Sequence, residues 1–249
     1  MNVVITGASS GIGKMVAKNL VAAENNLVIT GRDVQRLSLV QKELSKKCSV
    51  TAVSLDLSNC VAVESFAVKY ASSASILINA AADFGPTKSI GEIYSDEILQ
   101  MFYTNVLAPT LLAKYALPNM LKFGFGRIID ISSNAGLNGY AERVGYSITK
   151  HGVNGLSKTI NAEIKEYGSV NKNRNIDVRA YALCPGPIKG ERIEKQISER
   201  AKVRGVSVEI MKRAFIMRFG HFLEPEEIIK KIITLLEPAT KYNEIVVFK

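Results

Sequence analysis

The sequence predicts an α/β fold, a doubly wound parallel sheet of about seven strands with helices on both faces. Two features of the chain carry this. Short apolar runs bounded by turn residues alternate with stretches whose apolar residues recur three and four apart, the signature of strand-helix-strand units. At 249 residues and 47% hydrophobic content, the chain can also bury a full core without splitting in two.

The strands fall at 3–6, 27–30, 50–55, 76–79, 127–132 and 177–183, with a short last one at 245–248. Between them, Ile12, Val16 and Leu20 form one helical stripe, and Ile228, Ile232, Leu235 and Leu236 form another. Pro225, followed by Glu226 and Glu227, marks the start of the final helix, where a missing N–H and acidic side chains are both favoured. Gly205 and Gly220 bracket an apolar stretch with Met211, Phe215, Met217 and Phe219. A single domain over 1–249, with a substrate lid at about 188–220, is expected.

Composition narrows the function classes. There is no apolar run of roughly eighteen residues, and the chain opens directly on a core strand, so neither a membrane span nor a cleaved leader is expected. Three cysteines, at 48, 60 and 184, are widely spaced and form no C-x-x-C pair, which fits a reducing cytoplasmic setting. Two histidines, His151 and His221, cannot supply a metal cluster, and no metal is expected. The net charge is +9, and between Lys189 and Arg218 nine basic residues stand against four glutamates. Interleaved acids and the absence of stacking aromatics beside the basic residues argue for a solvated helix face rather than nucleic-acid binding. Anionic small molecules remain compatible with the charge.

The first strand hands over to the first helix through Thr6-Gly7-Ala8-Ser9-Ser10-Gly11-Ile12-Gly13. Small residues there let backbone amides approach a pyrophosphate, with the helix N-terminus facing the anion. The same residues satisfy G-x-S-x-G, a hydrolase nucleophile elbow centred on Ser9. That reading fails on position, because an elbow needs earlier strands to supply its oxyanion loop.

The spacing T-G-x-x-x-G-x-G resembles that of the classical short-chain dehydrogenase/reductase family, and the likeness runs almost end to end. By that resemblance Gly7, Ser9, Ser10, Gly11, Ile12 and Gly13 form the phosphate cradle. Asp56 and Leu57 meet the adenine, and Asn79 ends the fourth strand beside the cofactor. Ala80 and Ala82 depart from the family's N-N-A-G. Gly31 occupies the place of the ribose-binding acid and Arg32 follows it, which favours NADP(H) over NAD(H), since an arginine fork suits a 2′-phosphate. Asp33 is placed to cap the next helix.

Tyr146-Ser147-Ile148-Thr149-Lys150 sets a phenol and an ammonium four residues apart, on one face of a helix. The short motif is weak by itself. Ser133 stands thirteen residues earlier, the separation of the family's catalytic serine, with Ser132 as its competitor. Asn105 resembles the helix asparagine that holds a proton-relay water. The family resemblance implies that Tyr146 is the acid/base, that Ser133 binds the substrate oxygen, and that Lys150 holds the nicotinamide ribose. A cation beside the phenol favours phenolate, and Lys150 is the expected source. Pro185, Gly186 and Ile188 resemble the turn beside the nicotinamide, with Gly190 where a threonine is usual.

The resemblance thus implies an NADP(H)-dependent oxidoreductase that interconverts a carbonyl and an alcohol, acting as a homodimer or homotetramer. The family's glycine-rich C-terminal segment is missing after the last strand, which bears on the tetramer contact. Two alternatives stay open: a 3-oxoacyl-acyl-carrier-protein reductase, and a non-catalytic dinucleotide- or nucleic-acid-binding protein on the same fold.

Overall fold

The computed structural model describes residues 1–171, 176–238 and 242–248. Its centre is a seven-stranded parallel sheet built from β1 (Asn2–Thr6), β2 (Asn26–Gly31), β3 (Ser49–Ser54), β4 (Ile76–Asn79), β5 (Phe125–Ile131), β6 (Asp177–Cys184) and β7 (Ile245–Val247). The order is β3-β2-β1-β4-β5-β6-β7, the doubly wound arrangement the sequence predicts. All seven expected strands form, with boundaries moved by one or two residues. The largest shift is at β5, which starts at Phe125 because that residue already pairs with Asp177 of β6.

Alternation along each strand divides the core into two layers. Val3, Ile5, Ile29, Ile78 and Leu183 pack against α1 (Gly11–Asn19), α2 (Val34–Leu44) and α9 (Pro225–Leu236). Val4, Leu77, Ile128 and Ala180 face α3 (Cys60–Tyr70), α5 (Ala108–Phe123) and α6 (Val144–Val170) on the other side. Three helices on each face bury the sheet twice, which is why its strands read as unbroken apolar runs.

The remaining helices build the rim above the carboxyl ends of the strands. Helix α4 (Ser95–Phe102) runs into α5 through a π-helical turn at Tyr103–Leu107. Pro109 lacks the N–H that would bond to the Asn105 carbonyl, so a regular α-helical ladder cannot continue through this point. Helices α7 (Glu191–Val203) and α8 (Val208–Phe219) pack on each other around Ile193, Ile197, Ala201, Met211 and Phe215. The stretch expected as a substrate lid, about 188–220, holds this ordered helical pair, tied at its base by a bridge between Ile188 and Leu223.

The strand order reverses between β1 and β4, and a crevice opens outside their carboxyl ends, where ligands bind in sheets of this kind. Among the described residues no helix is long and apolar enough to cross a membrane, and no group of three or more metal-ligating side chains occurs.

Candidate active site

Two clefts meet over this crevice. One, of about 300 Å³, is lined by Gly7, Ser9, Ser10, Ile12, Arg32, Asp56 and Leu57. The other, of about 130 Å³, is lined by Ser133, Tyr146, Lys150 and the 185–188 turn, with α7 and α8 above it. Ile12, Ala80, Ala82 and Arg192 border both.

The glycine turn is shaped by close packing of main chain. Gly7 has φ +70°, and a Cβ there would lie 2.7 Å from the Ala81 nitrogen; a Cβ on Gly13 would lie 2.5 Å from the Gly7 carbonyl oxygen. Nothing bulkier than hydrogen fits at either position, and this leaves the backbone of residues 7–12 open toward the cleft. Changing Gly7 to Ala is expected to cost about 1–2 kcal/mol from the positive φ alone, with a lower melting temperature and weaker dinucleotide binding as readouts.

At the far end, Asp33 caps α2 by accepting from the Arg36 amide at 2.9 Å, and its carboxylate pairs with the Arg36 side chain at 3.3 Å. Arg32 is exposed at the cleft edge, and Arg36 joins it there, a second cation the sequence reading missed. Asp56 is held below the usual carboxylate range, first by the Ser58 amide and also by the positive charge of Arg32.

The 185–188 turn presents unused backbone groups. Leu223 donates to the Pro187 carbonyl and accepts from the Lys189 amide, at 2.8 and 3.0 Å. In a parallel bridge those flanking groups make the bonds, so the N–H and C=O of Ile188 face away from Leu223. A dinucleotide thus finds a glycine cradle, a basic far end and free main-chain groups at the near end, and the residues present fit it.

Tyr146 and Lys150 lie one turn apart on α6, and both are buried. The Lys150 ammonium donates to the Ile131 carbonyl at 2.6 Å, while the Ser132 hydroxyl donates to the Lys150 carbonyl at 3.2 Å. These two bonds pin α6 to the end of β5. Ser132 is thus occupied with structure. The Ser133 hydroxyl accepts from the Ala135 amide at 3.1 Å and lies near enough to the Tyr146 phenol to oppose the rise of its pKa, which favours Ser133 over Ser132 as the serine beside that hydroxyl.

Two expectations need correction. Burial raises the Tyr146 phenol above its ordinary value, and the charges that oppose this are Arg143 first and then Arg192, with the Lys150 ammonium 5.6 Å from the ring centroid. Lys150 is itself pushed down to about 8, by burial first and by Arg192 second, because its ammonium is desolvated beneath the cleft. Asn79 is the other case. Its amide donates to buried Asp130 at 2.7 Å, and the side chain borders neither cleft. Ser157 also donates to Asp130, at 3.0 Å, yet burial still raises that carboxyl. Asn79 thus serves Asp130, whose carboxyl and the Lys150 ammonium influence one another by charge.

Asn105 sits in the π-helical turn, where its side chain accepts from the Asp83 amide at 2.7 Å and donates to the Asp83 carbonyl and to Thr149. Those bonds fasten the loop after β4 to α6.

Residues not singled out in the sequence complete the cavity. The Phe84 ring stacks on Tyr146 with centroids 5.0 Å apart; the Arg192 guanidinium covers Phe84 at 4.0 Å, and that of Arg143 lies over Tyr146 at 4.9 Å. The phenol thus sits in a column of two rings and two cations. Arg200 and Arg204 of α7 both pair with Glu142, at 3.2 and 2.9 Å. The basic segment at 189–218 is therefore only partly a solvated face, since Arg192 and Arg200 turn into the cleft. Arg143, three residues before Tyr146, was legible only in hindsight, as a neighbour on the same helical face.

A hydroxyl that can give or take a proton, set beside a dinucleotide-shaped groove, defines an oxidoreductase of the alcohol and keto type. The family profile described as short chain dehydrogenase matches residues 1–202, and the chain belongs to that family. It is 30% identical to a D-beta-hydroxybutyrate dehydrogenase of Cupriavidus necator, over 95% of this chain and 91% of that protein. A 3-oxoacyl-acyl-carrier-protein reductase of Aquifex aeolicus is 27% identical, over 96% and 90%. Among solved structures, an actinorhodin polyketide ketoreductase with NADPH superposes with a TM-score of 0.84 at 23% identity, covering 98% of this chain and 94% of that one, a likeness of fold.

Proposed function

We propose that the protein reduces a ketone or aldehyde with NADPH, or runs the reverse oxidation, with Tyr146 as acid and base. The observation that carries this is that Tyr146, Ser133 and Lys150 line one cleft, which adjoins the dinucleotide-shaped cleft through Ile12, Ala80, Ala82 and Arg192. When bound, the dinucleotide supplies hydride to the carbonyl carbon. Tyr146 breaks its O–H bond to protonate the carbonyl oxygen, so that a hydroxyl forms and a phenolate remains. Ser133 hydrogen-bonds the same oxygen and orients it. Lys150, as ammonium, holds the ribose hydroxyls and helps the phenolate recover its proton. Burial keeps Tyr146 protonated at neutral pH, the form that reduction needs.

NADP(H) is the preferred cofactor in this reading. Arg32 and Arg36 frame the far end of the cleft, and Asp33 is committed to its cap and to Arg36. Arg32→Asp is expected to lower kcat/KM with NADPH on the order of 10- to 100-fold, the worth of a charge-assisted bond, while NADH use changes little. A wild-type preference for NADH would overturn the assignment.

The test of the reaction is NADPH oxidation against simple ketones, sugars, oxo acids and acyl-carrier thioesters. Thioester turnover above all others would establish the second reading, carrier-bound 3-oxoacyl reduction, which the +9 charge and the Aquifex relative favour. No turnover anywhere would point instead to a silent binder.

A further inference from the structure

We propose that Arg143, assisted by Arg192, forms an anion site in the cavity, and that the substrate is a short oxo or hydroxy acid whose carboxylate is held there. This rests on the oxidoreductase reading above and names its substrate class.

The guanidinium of Arg143 is the anchor. Arg143 is only 4% exposed, borders the small cavity, and its Nη2 is buried without a hydrogen-bond partner. Among the described residues no ion pair includes it. Glu199 and Asp83 act on it only from beyond ion-pair distance, and Arg200 repels it. A buried cation lacking a partner is costly, and an incoming anion relieves that cost. Arg192 adds a second positive charge across the Phe84 and Tyr146 rings, and it too makes no ion pair among the described residues.

The backbone is arranged to aim Arg143 inward. Glu142, just before it, has φ +65°, a left-handed conformation that costs a non-glycine residue free energy. The Glu142 carboxylate is gripped by Arg200 and Arg204, and its carbonyl accepts from the Lys88 amide at 3.2 Å. These contacts satisfy Arg200 and leave Arg143 as the cation available to a ligand.

Position limits the ligand. Arg143 lies against the ring that carries the reacting hydroxyl, so the anion and the carbonyl are separated by only a few bonds. A phosphate on a long carrier arm would sit too far away. The half-open cleft beside the phenol, about 130 Å³, has room for a small carboxylate.

The experiment compares 3-oxobutyrate with its methyl ester, which differ in one charge, in wild type, Arg143→Met and Arg143→Lys. Arg143 also influences the phenol, so the readout is the acid-to-ester ratio of kcat/KM, which cancels any shared loss. Wild type is expected to favour the acid on the order of 10- to 100-fold, Arg143→Met to bring the ratio near one, and Arg143→Lys to retain part of it. Equal use of acid and ester by wild type, or an unchanged ratio in Arg143→Met, overturns the inference. So does a preference for 2-oxopropylphosphonate over the acid.

Calorimetry of butyrate binding to NADPH-loaded protein separates this inference from the reaction itself. Binding by wild type and not by Arg143→Met supports the anion site even if no carbonyl is reduced, an outcome that would sink only the reaction. Ester turnover with no carboxylate binding sinks the site and keeps the reaction.

Discussion

Replacing Tyr146 by Phe is expected to lower kcat by about 10²–10⁴-fold, the range of a lost general acid, with NADPH affinity nearly unchanged. The hydroxyl is the only group removed, and the ring keeps its stack on Phe84 and its contact with Arg143. Packing therefore survives, and the melting temperature should stay close to wild type. Removing a buried hydroxyl also relieves its desolvation, so no stability loss masks the kinetic one. Turnover within threefold of wild type would assign the proton to another group. Steady-state rates with cofactor titration on the same preparation decide the matter.

Lys150→Met is expected to separate activity from stability in the opposite sense to an ordinary core mutation. Catalytic efficiency should fall on the order of 10²-fold or more, since both ribose binding and the proton route lose their ammonium. Stability at pH 7 should hold or rise. The folded protein keeps this ammonium buried, and its pKa is about 8 rather than 10.5. Between about pH 8 and 10.5 the unfolded chain therefore carries the extra proton, and stability must increase with pH across that window. The full rise amounts to about 3 kcal/mol, because a tenfold difference in proton affinity between the folded and unfolded chain is worth about 1.4 kcal/mol. Tyr146 works the other way above its ordinary value, where the unfolded phenol ionises first, so the difference between wild type and variant isolates the lysine. Denaturant unfolding at about pH 7 and about pH 9.5, within the linkage window, provides the comparison. A wild-type rise no steeper than the variant's would contradict the buried ammonium.

Much of the fold was readable in advance because its cues are local. A run such as Val3-Val4-Ile5 ending in Thr6-Gly7 is a strand meeting a turn whatever surrounds it, and seven such runs give the parallel sheet. The glycine turn and the Tyr146/Lys150 pair were singled out on the same kind of cue, a fixed spacing along one element, and both border the clefts at the crevice. Asn79 was misplaced by that logic. Position along a strand says which residue reaches the crevice, while side-chain direction was settled by Asp130 on the neighbouring strand.

The chain's own order of residues thus determined the layered architecture, the glycine turn at the crevice and the phenol one cleft away from it. Only the tertiary structure decided which charges surround that phenol. Arg143, Phe84 and Arg192 come from a helix start, a loop after β4 and the first turn of α7. Packing then gathers these separate residues into one column in which Arg143 and Tyr146 are buried, Phe84 is half-buried and Arg192 stays exposed, and desolvation depends on what packs against a group rather than on its neighbours in sequence.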